Sequence, residues 1–406
     1  MSGLVARTTP GEPASDPGPP ARLEHVTAFS SPRRSMWGSG EALRIELPAP
    51  WPDHVGRVAE VLAGLPTEGA GPLGSGPVAF GSLPYDRSVA ASLVVPEVVH
   101  GSTSDGERWT TTTSVHPPGD PGATIEITGF PGPPSVTVSS VRGIHHWLLA
   151  VHVATKRIAA GELTKVVLAR ELLATADQPI DVADLYGRMR AGAPHAICFC
   201  IDGHVGATPE LLVSRVGDVV RAQPMAGTLP RTGDPEADQR RAGELLGSHK
   251  NREEHQITID VVHETLLPWC SYLDAEPVPS VVAAGPVQHL ATLVEGRLSH
   301  PEPSVLDLVA ALHPTPAVGG WPREQALELQ AQLEEADRGR YAGPVGWVDA
   351  HGNGAFGVGI RGAQVDGPTA RLFAGVGVVA DSDPMAELEE TRSKAQAVLG
   401  PLLRQL

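Results

Sequence analysis

Two titratable residues of opposite type occur in apolar segments that have the pattern of β-strands. Lys165 opens the run KVVLAR, and Glu210 follows Thr208-Pro209 and precedes Leu-Leu-Val. A lysine directed into a protein interior must be paired or neutral, because burying a lone ammonium group is costly. Such a lysine can act as a base, whereas the alternative is a strand-edge lysine that reaches solvent. Glu210 is similarly either an acid at a site or a turn residue.

Carboxylates on two predicted helices could bind a divalent cation. Glu254 lies in REEHQITIDVV, while Glu387 and Glu390 lie in PMAELEETRSKAQAVL, with Lys394 on the same helical face. Carboxylate oxygens suit Mg²⁺, which takes few protein ligands and keeps water and substrate oxygens in its shell. The alternative is that both charged runs are solvated helix faces.

Glycine-rich stretches and one arginine could bind an anion. Gly227 and Thr228 lie in AGTLPR, Gly375 and Gly377 lie in FAGVGVV, and Arg361 lies in GVGIRGA. Glycine lets a ligand approach backbone N–H groups closely. Neither stretch is a G-x-G-x-x-G fingerprint leading into a helix, so a dinucleotide is disfavoured. Arg361 could form a bidentate pair with a carboxylate or could be an exposed side chain.

The composition excludes several classes of protein. The 406 residues carry 31 Lys and Arg against 47 Asp and Glu, a net charge of −16, which disfavours nucleic-acid binding. No apolar run is long enough for a membrane-spanning helix, and the N-terminus lacks a signal-peptide core, so we expect a cytoplasmic protein. We expect Cys198, Cys200 and Cys270 to be buried thiols that form neither a disulfide framework nor a zinc site.

Length and patterning predict how these residues are positioned. A chain of 406 residues exceeds the size at which one core stops growing, which predicts two domains or two lobes. We predict a disordered tail at 1–22, a strand-rich lobe at 23–134 and a catalytic region at 135–406. The helices and strands mix without βαβ alternation, which favours an α+β fold with antiparallel sheets. The predicted helices are 53–64, 141–160, 181–191, 236–268, 322–335 and 384–402, and the predicted strands include 287–297.

Taken together, nine segments resemble the chorismate-utilising enzyme family, which includes isochorismate, salicylate and anthranilate synthases. The resemblance covers about 140–402, and the order of the motifs makes it specific. The matching segments are KVVLAR, PELLVSR, AGTLPRT, HKNREEHQITIDVV, VQHLAT, LHPTPAVGGWP, YAGPVGWVD, GIRGA and RLFAGVGVVADSDPMAELEETRSKA.

The resemblance implies a fold of two packed antiparallel β-sheets with outer helices, and a site that binds chorismate and Mg²⁺. It implies Glu254 and Glu390 as metal ligands, with Glu387 nearby. His289 and His313 belong to motifs that line the cleft. The substrate-binding residues that it implies are Gly227, Thr228, His289, Thr315, Arg361, Gly375, Gly377 and Lys394.

The resemblance also implies a reaction. Members that add water are similar in carrying lysine at the position of Lys165, because water must lose a proton as it attacks C2 of chorismate. Glu210 matches the acid that protonates the departing C4 hydroxyl, and it should have a raised pKa. Thr315-Pro316 matches the form of the motif found in isochorismate synthases. We therefore expect an isomerase, a Mg²⁺-dependent isochorismate synthase in menaquinone or siderophore biosynthesis, which is monomeric and needs no amidotransferase subunit. The alternative is a salicylate synthase.

Overall fold

The computed structural model describes residues 3–11, 27–115, 135–285 and 287–403. None of the helices in these ranges is long and apolar enough to cross a membrane. The helices are α1 Gly56–Ala63, α2 Ile144–Ala159, α3 Val182–Gly192, α4 Pro235–Gly247, α5 His249–Leu266, α6 Val305–Leu312, α7 Arg323–Glu334 and α8 Pro384–Leu403.

The strands fall in both halves of the chain. Those before α2 are β1 Val5–Pro10, β2 Thr27–Ser31, β3 Arg34–Ser39, β4 Leu43–Leu47, β5 Thr67–Glu68, β6 Val78–Ser82, β7 Ala91–Val95, β8 Val98–Thr103, β9 Arg108–Ser114 and β10 Val136–Ser140. Those after it are β11 Lys165–Ala176, β12 Ile197–Ile201, β13 His204–Thr208, β14 Leu211–Val216, β15 Val219–Gln223, β16 Met225–Pro230, β17 Cys270–Ala275, β18 Ser280–Ala284, β19 Val287–Ala291, β20 Val294–Leu298, β21 Gly320–Trp321, β22 Pro344–Asp349, β23 Gly354–Val358, β24 Gly362–Asp366 and β25 Thr369–Val378.

Within the described ranges these strands form two large sheets and one small sheet. The larger sheet has the order β10-β11-β25-β24-β13-β12-β2-β3-β8-β9-β1-β5, with β21 paired to the free edge of β11. The second has the order β17-β20-β15-β14-β23-β22-β6-β7-β4, and β16-β19-β18 form the third. Neighbours are antiparallel except β1 and β5, which pair in parallel. The fold is therefore α+β, as the sequence predicts.

The two large sheets pack face to face, and helices cover their outer faces. Phe29, Phe199 and Trp109 of one sheet meet Phe80 and Trp347 of the other in a shared apolar cluster. Helices α2, α3, α7 and α8 cover the larger sheet, while α1, α5 and α6 cover the second. The predicted arrangement of two packed sheets with outer helices is confirmed.

The predicted N-terminal boundaries differ from the structure in two respects. Val5–Pro10, inside the predicted tail at 1–22, form β1, whose six residues all pair with β9. The remainder of that tail, 12–22, lies outside the described residues, as does 116–134 of the predicted lobe. The predicted lobe at 23–134 is not a separate unit, because β6 pairs with β22 and β2 pairs with β12.

Three local predictions in the second half were wrong. The single helix predicted at 236–268 is two helices, because Ser248 has extended backbone and its hydroxyl accepts the Asn251 N–H to begin α5. The strand predicted at 287–297 divides at Thr292 between two sheets. Helix α6 was missed because seven of its eight residues are apolar, which hides the helical period in the sequence.

The cysteines are free thiols. Cys198 and Cys200 are buried in β12, and Cys270 is half-buried. Burial raises the pKa of Cys198 to about 11 and that of Cys200 to about 12, so both are inert as nucleophiles.

Candidate active site

A cavity of about 280 Å³ lies where β11 and β25 of the larger sheet meet α5, α8 and the small sheet. Its lining combines most of the predicted site residues, although they are distant in sequence. Those residues are Lys165, Glu210, Gly227, Thr228, Glu254, His289, Arg361, Gly375, Gly377, Glu387, Glu390 and Lys394. The volume is of the size expected for a site that encloses a small organic molecule.

Lys165 is buried at the start of β11, and its partner comes from α5. Strand β11 pairs with β25 on one side and with β21 on the other, so Lys165 is 2% exposed. Its Nζ lies 2.8 Å from Oε1 of Glu254. Lys165 is therefore an interior lysine with an acidic partner and not one that reaches solvent, and its role as a base stays a prediction.

Gly377 leaves the space that this ion pair occupies. A Cβ at Gly377 would lie 2.7 Å from Cε of Lys165 and 2.9 Å from Oε1 of Glu254. Both distances are shorter than carbon and oxygen atoms tolerate, so a side chain here would displace the pair. Close approach of these two side-chain ends, and not the backbone angles, is therefore what distinguishes glycine from alanine at this position.

Glu210 lies just before β14 and is 3% exposed. Burial raises the pKa of its carboxyl to about 8, although Lys165 and the backbone N–H of Met225 act in the opposite direction. At neutral pH the group is therefore mostly protonated and can donate a proton. This is the direction that the sequence analysis expects for an acid.

Arg361 is a buried cation held by a histidine. It is 8% exposed, and its Nη2 donates to Nε2 of His289 at 3.1 Å. Burial, with Arg361 and Lys394 adding to it, puts the pKa of His289 well below its usual value. The ring is thus neutral, and its Nδ1 has the Gly227 carbonyl oxygen at 3.2 Å and the Thr228 hydroxyl at 3.0 Å.

The guanidinium of Arg361 still lacks an anionic partner. Its buried Nε has no hydrogen-bond partner, and no carboxylate of the described chain forms an ion pair with it. A buried donor left unpaired is costly, so the arrangement favours a bound anion that accepts from this group. The alternative of an exposed arginine is wrong.

Helix α8 contributes a second paired carboxylate. Lys394 is 9% exposed, and its Nζ lies 2.6 Å from Oε1 of Glu390 and donates to the Gly375 carbonyl at 3.0 Å. Glu387, one turn earlier, lines the same cavity. Two helices thus direct Glu254, Glu387 and Glu390 toward one space.

These carboxylates fit the oxygen chemistry of Mg²⁺ but do not form a closed metal cage. Within the described ranges, no three His, Cys, Asp or Glu side chains are grouped closely enough to bind a metal by themselves. Glu254 and Glu390 are each paired with a lysine. Such a donor set suits a hard cation that keeps water and ligand oxygens in its shell, as Mg²⁺ does.

Two predicted residues do not line the cavity. Thr315 is buried, and its carbonyl accepts the N–H groups of Val318 and Gly319 in a tight turn. His313 faces the second sheet, where its Nε2 lies 2.9 Å from the Tyr85 carbonyl oxygen. The turn instead brings Ala317 and Val318 of the same motif to the cavity wall, and the substrate contact of Thr315 stays a prediction.

Sequence reasoning missed several wall residues. Asn251 and Tyr341 line the cavity, and both occur in the motifs HKNREEH and YAGPVGWVD that were singled out without assigning them a role. Asn251 packs on Gly227, where a Cβ would lie 3.1 Å from that of Asn251, and Gly227 has a φ of 70°. The further missed wall residues are Val167, Pro209, Met225, Ala226, Ala317, Val318, Ile360 and Val376.

Comparisons with known proteins agree with this site. The family model described as chorismate binding enzyme matches residues 130–403. The isochorismate synthase DhbC of Bacillus subtilis is 38% identical over 358 residues, which are 85% of this chain and 84% of the relative. The isochorismate synthase EntC of Escherichia coli K12 is 32% identical and covers 91% of this chain and 93% of its own.

A solved structure has the same fold. The menaquinone-specific isochorismate synthase MenF of Escherichia coli superimposes with a TM-score of 0.83 over 98% of this chain and 95% of its own, at 24% identity. The family match covers more than half of the chain, and the relatives match it over most of its length. The chain belongs to the family of chorismate binding enzymes.

Proposed function

We propose that this protein is an isochorismate synthase, an isomerase that adds water at C2 of chorismate and removes the C4 hydroxyl. The observation that carries the proposal is one cavity that contains a buried lysine, Lys165, and a buried acid, Glu210. The relatives named isochorismate synthase support the same activity.

The two residues have opposite tasks in the reaction. Lys165, in its neutral form, takes a proton from the attacking water as the new C2–O bond forms and the ring double bond shifts. Glu210 gives its proton to the C4 oxygen as that C–O bond breaks and water departs. One water enters and one leaves, so chorismate and isochorismate are isomers and no oxidant or reductant is needed.

Charge in the cavity supports a substrate with two carboxylates. Besides Glu210, the lining has equal numbers of basic and acidic side chains, which are Lys165, Arg361 and Lys394 and Glu254, Glu387 and Glu390. Arg361, with its unpaired Nε, can donate hydrogen bonds to one substrate carboxylate. A dianionic substrate then leaves an excess negative charge that a divalent cation would neutralise.

Mg²⁺ is the cation that this donor set would accept. We propose that Glu254 and Glu390 bind it, with Glu387 close by. When bound, the ion would orient a substrate carboxylate and screen its repulsion from the glutamates. The chain's own part is to supply oxygen ligands from α5 and α8, and to keep Lys165 and Lys394 beside them.

Product analysis tests the proposed function. We expect purified protein incubated with chorismate and Mg²⁺ to form isochorismate, resolved by chromatography against authentic standards. Salicylate with an equal amount of pyruvate would instead establish the salicylate synthase alternative. Binding of chorismate without any product would contradict enzymatic function.

The pH dependence of kcat/KM is expected to have an alkaline limb set by Glu210. The protonated form is the competent one, so activity is retained below its pKa of about 8 and lost as pH rises through that value. The decline should approach tenfold per pH unit above the midpoint. Thermal unfolding at each pH controls for loss of the fold, and a profile that remains flat well above pH 8 would contradict the role of Glu210.

Gly377→Ala is expected to lower kcat by about tenfold or more, because its Cβ would displace the Lys165–Glu254 pair. Gly243→Ala is the matched control, since a Cβ at this α4 position meets nothing within 4 Å. Steady-state rates of both variants check the prediction. A Gly377→Ala enzyme with wild-type kcat would show that the position of the pair is not critical.

A further inference from the structure

One edge of β11 lacks a strand partner directly beside the cavity. Its first residues pair with β21, and the Val167 N–H donates to the Gly319 carbonyl at 3.0 Å. Its later residues, Leu172 to Ala176, pair with β10. Between these two partners, the Val167 carbonyl and the Ala169 N–H face no strand.

Side chains replace the missing strand. The Val167 carbonyl accepts from Nε2 of Gln330 at 2.6 Å and from Nη2 of Arg338 at 3.0 Å. The Ala169 N–H donates to Oε1 of Glu334 at 2.7 Å. Because buried backbone groups must be paired, these three side chains hold this edge of β11, whose opposite edge pairs with β25.

The side chains form one buried network. Arg338 and Glu334 are an ion pair at 2.6 Å whose side chains are 3% and 4% exposed. The Tyr85 hydroxyl donates to Oε1 of Gln330 at 2.8 Å and so orients its amide, which makes Nε2 the group that faces β11. Burial raises the pKa of Tyr85 to about 12, so its hydroxyl is a neutral donor at ordinary pH.

The same network also supports the turn that forms the neighbouring cavity wall. The Val318 carbonyl accepts from Nη1 of Arg338 at 2.9 Å and from Nε2 of Gln330 at 3.3 Å. Val318 and Val167 both line the cavity, although none of the four network side chains does. The network is therefore bonded to two wall segments and lies behind them.

We propose that Tyr85, Gln330, Glu334 and Arg338 are positioning residues for the reaction, holding β11 so that Lys165, two residues before Val167, keeps the place from which it serves as base. This proposal rests on the proposed function. A buried ion pair is weak evidence for stability, because desolvation offsets its attraction. The hydrogen bonds from this network to the backbone of β11 instead favour one position of the strand. Arg361, which would bind a substrate carboxylate, lies on a different segment. Substrate binding should therefore be little affected by changes in the network.

Three variants test the proposal, with one matched control. Arg338→Lys keeps the charge but loses the planar guanidinium that donates to the Val167 and Val318 carbonyls. Gln330→Met keeps the side-chain volume but removes the amide donors. Tyr85→Phe removes one hydroxyl. Arg215→Lys is the control. Arg215 is also a buried arginine that donates to two backbone carbonyls, those of Gly217 and Pro303, but it is outside the cavity lining.

The readouts are kcat and KM for isochorismate formation, thermal unfolding, and amide hydrogen exchange of residues 165–170. We expect kcat to fall about 10- to 100-fold in Arg338→Lys and Gln330→Met, with KM within about twofold of wild type, since small misplacements at a reacting group cost this much. Exchange at Ala169 should accelerate. Tyr85→Phe should lower kcat less, and Arg215→Lys should leave kcat and KM within about twofold even where it lowers the unfolding temperature.

Each other result overturns the proposal. A wild-type kcat together with faster exchange at Ala169 would show that β11 is loosened without consequence for Lys165. If the network variants lose no more kcat than Arg215→Lys does, or change only in KM, the network has a general structural role. If Arg338→Lys and Gln330→Met do not fold, Tyr85→Phe decides, and a kcat equal to wild type in it contradicts the proposal. Wild-type protein assayed in parallel separates this failure from failure of the proposed function, because only the latter abolishes its turnover.

Discussion

Lys165→Ala should abolish isochorismate formation, with kcat at least about 10³-fold below wild type. The reason is that a positioned base contributes about 10²–10⁴-fold to proton transfer, and the neighbouring carboxylate, Glu254, is proposed to bind the metal. The fold should persist, because Glu254 loses its partner but its side chain is 16% exposed and can be hydrated. Chromatographic rates and thermal unfolding measure both effects.

Two further variants sharpen this test. Lys165→Gln keeps a hydrogen-bond donor for Glu254 but cannot act as a base, so it should be as inactive as Lys165→Ala. Lys156→Ala on α2 removes an exposed lysine and should have no effect. Near-wild-type turnover by either Lys165 variant would show that the proposed mechanism is wrong.

Glu254→Gln and Glu390→Gln should each lower Mg²⁺-dependent activity by at least about 100-fold. Amide oxygens are poorer ligands for Mg²⁺ than carboxylates, and loss of even an outer-shell partner typically costs 10–100-fold at a metal site. Activity titrated against Mg²⁺ measures the effect, and calorimetry of Mg²⁺ binding measures affinity without turnover.

Glu389→Gln is the matched control for the metal ligands. Glu389 is adjacent to Glu390 on α8, but its side chain is 60% exposed and paired with Arg392. We expect its Mg²⁺ titration to match that of wild type. An unchanged titration in Glu254→Gln and Glu390→Gln would disprove the ligand assignment.

The local elements and most of the site could be predicted from the sequence. Helices α2, α3, α7 and α8 lie within three residues of their predicted bounds at each end. Gly377, Glu254 and Lys394 lie in motifs whose order in the chain is specific to the family, so the resemblance identified them although no single motif places them together. The structure adds the contacts that join them.

The remainder depended on contacts between distant residues. Seven of the eight residues of helix α6 are apolar, and the local signal of its start is the capping pair Ser304 and Asp307. Thr315 was assigned to the site because its motif is near it, but the turn that its carbonyl closes brings Ala317 and Val318 to the cavity wall instead. The Tyr85–Gln330 hydrogen bond spans 245 positions in the chain, and no periodicity indicates it.

The central claim is that Lys165 and Glu210 exchange one water for another across the ring, and isotope labelling tests it most directly. Purified protein is incubated with unlabelled chorismate and Mg²⁺ in ¹⁸O-labelled water, and the product is analysed by mass spectrometry. We expect isochorismate with one labelled oxygen, in the new hydroxyl at C2. Unlabelled isochorismate would contradict the account, because the C4 hydroxyl would then have moved to C2 without attack by water.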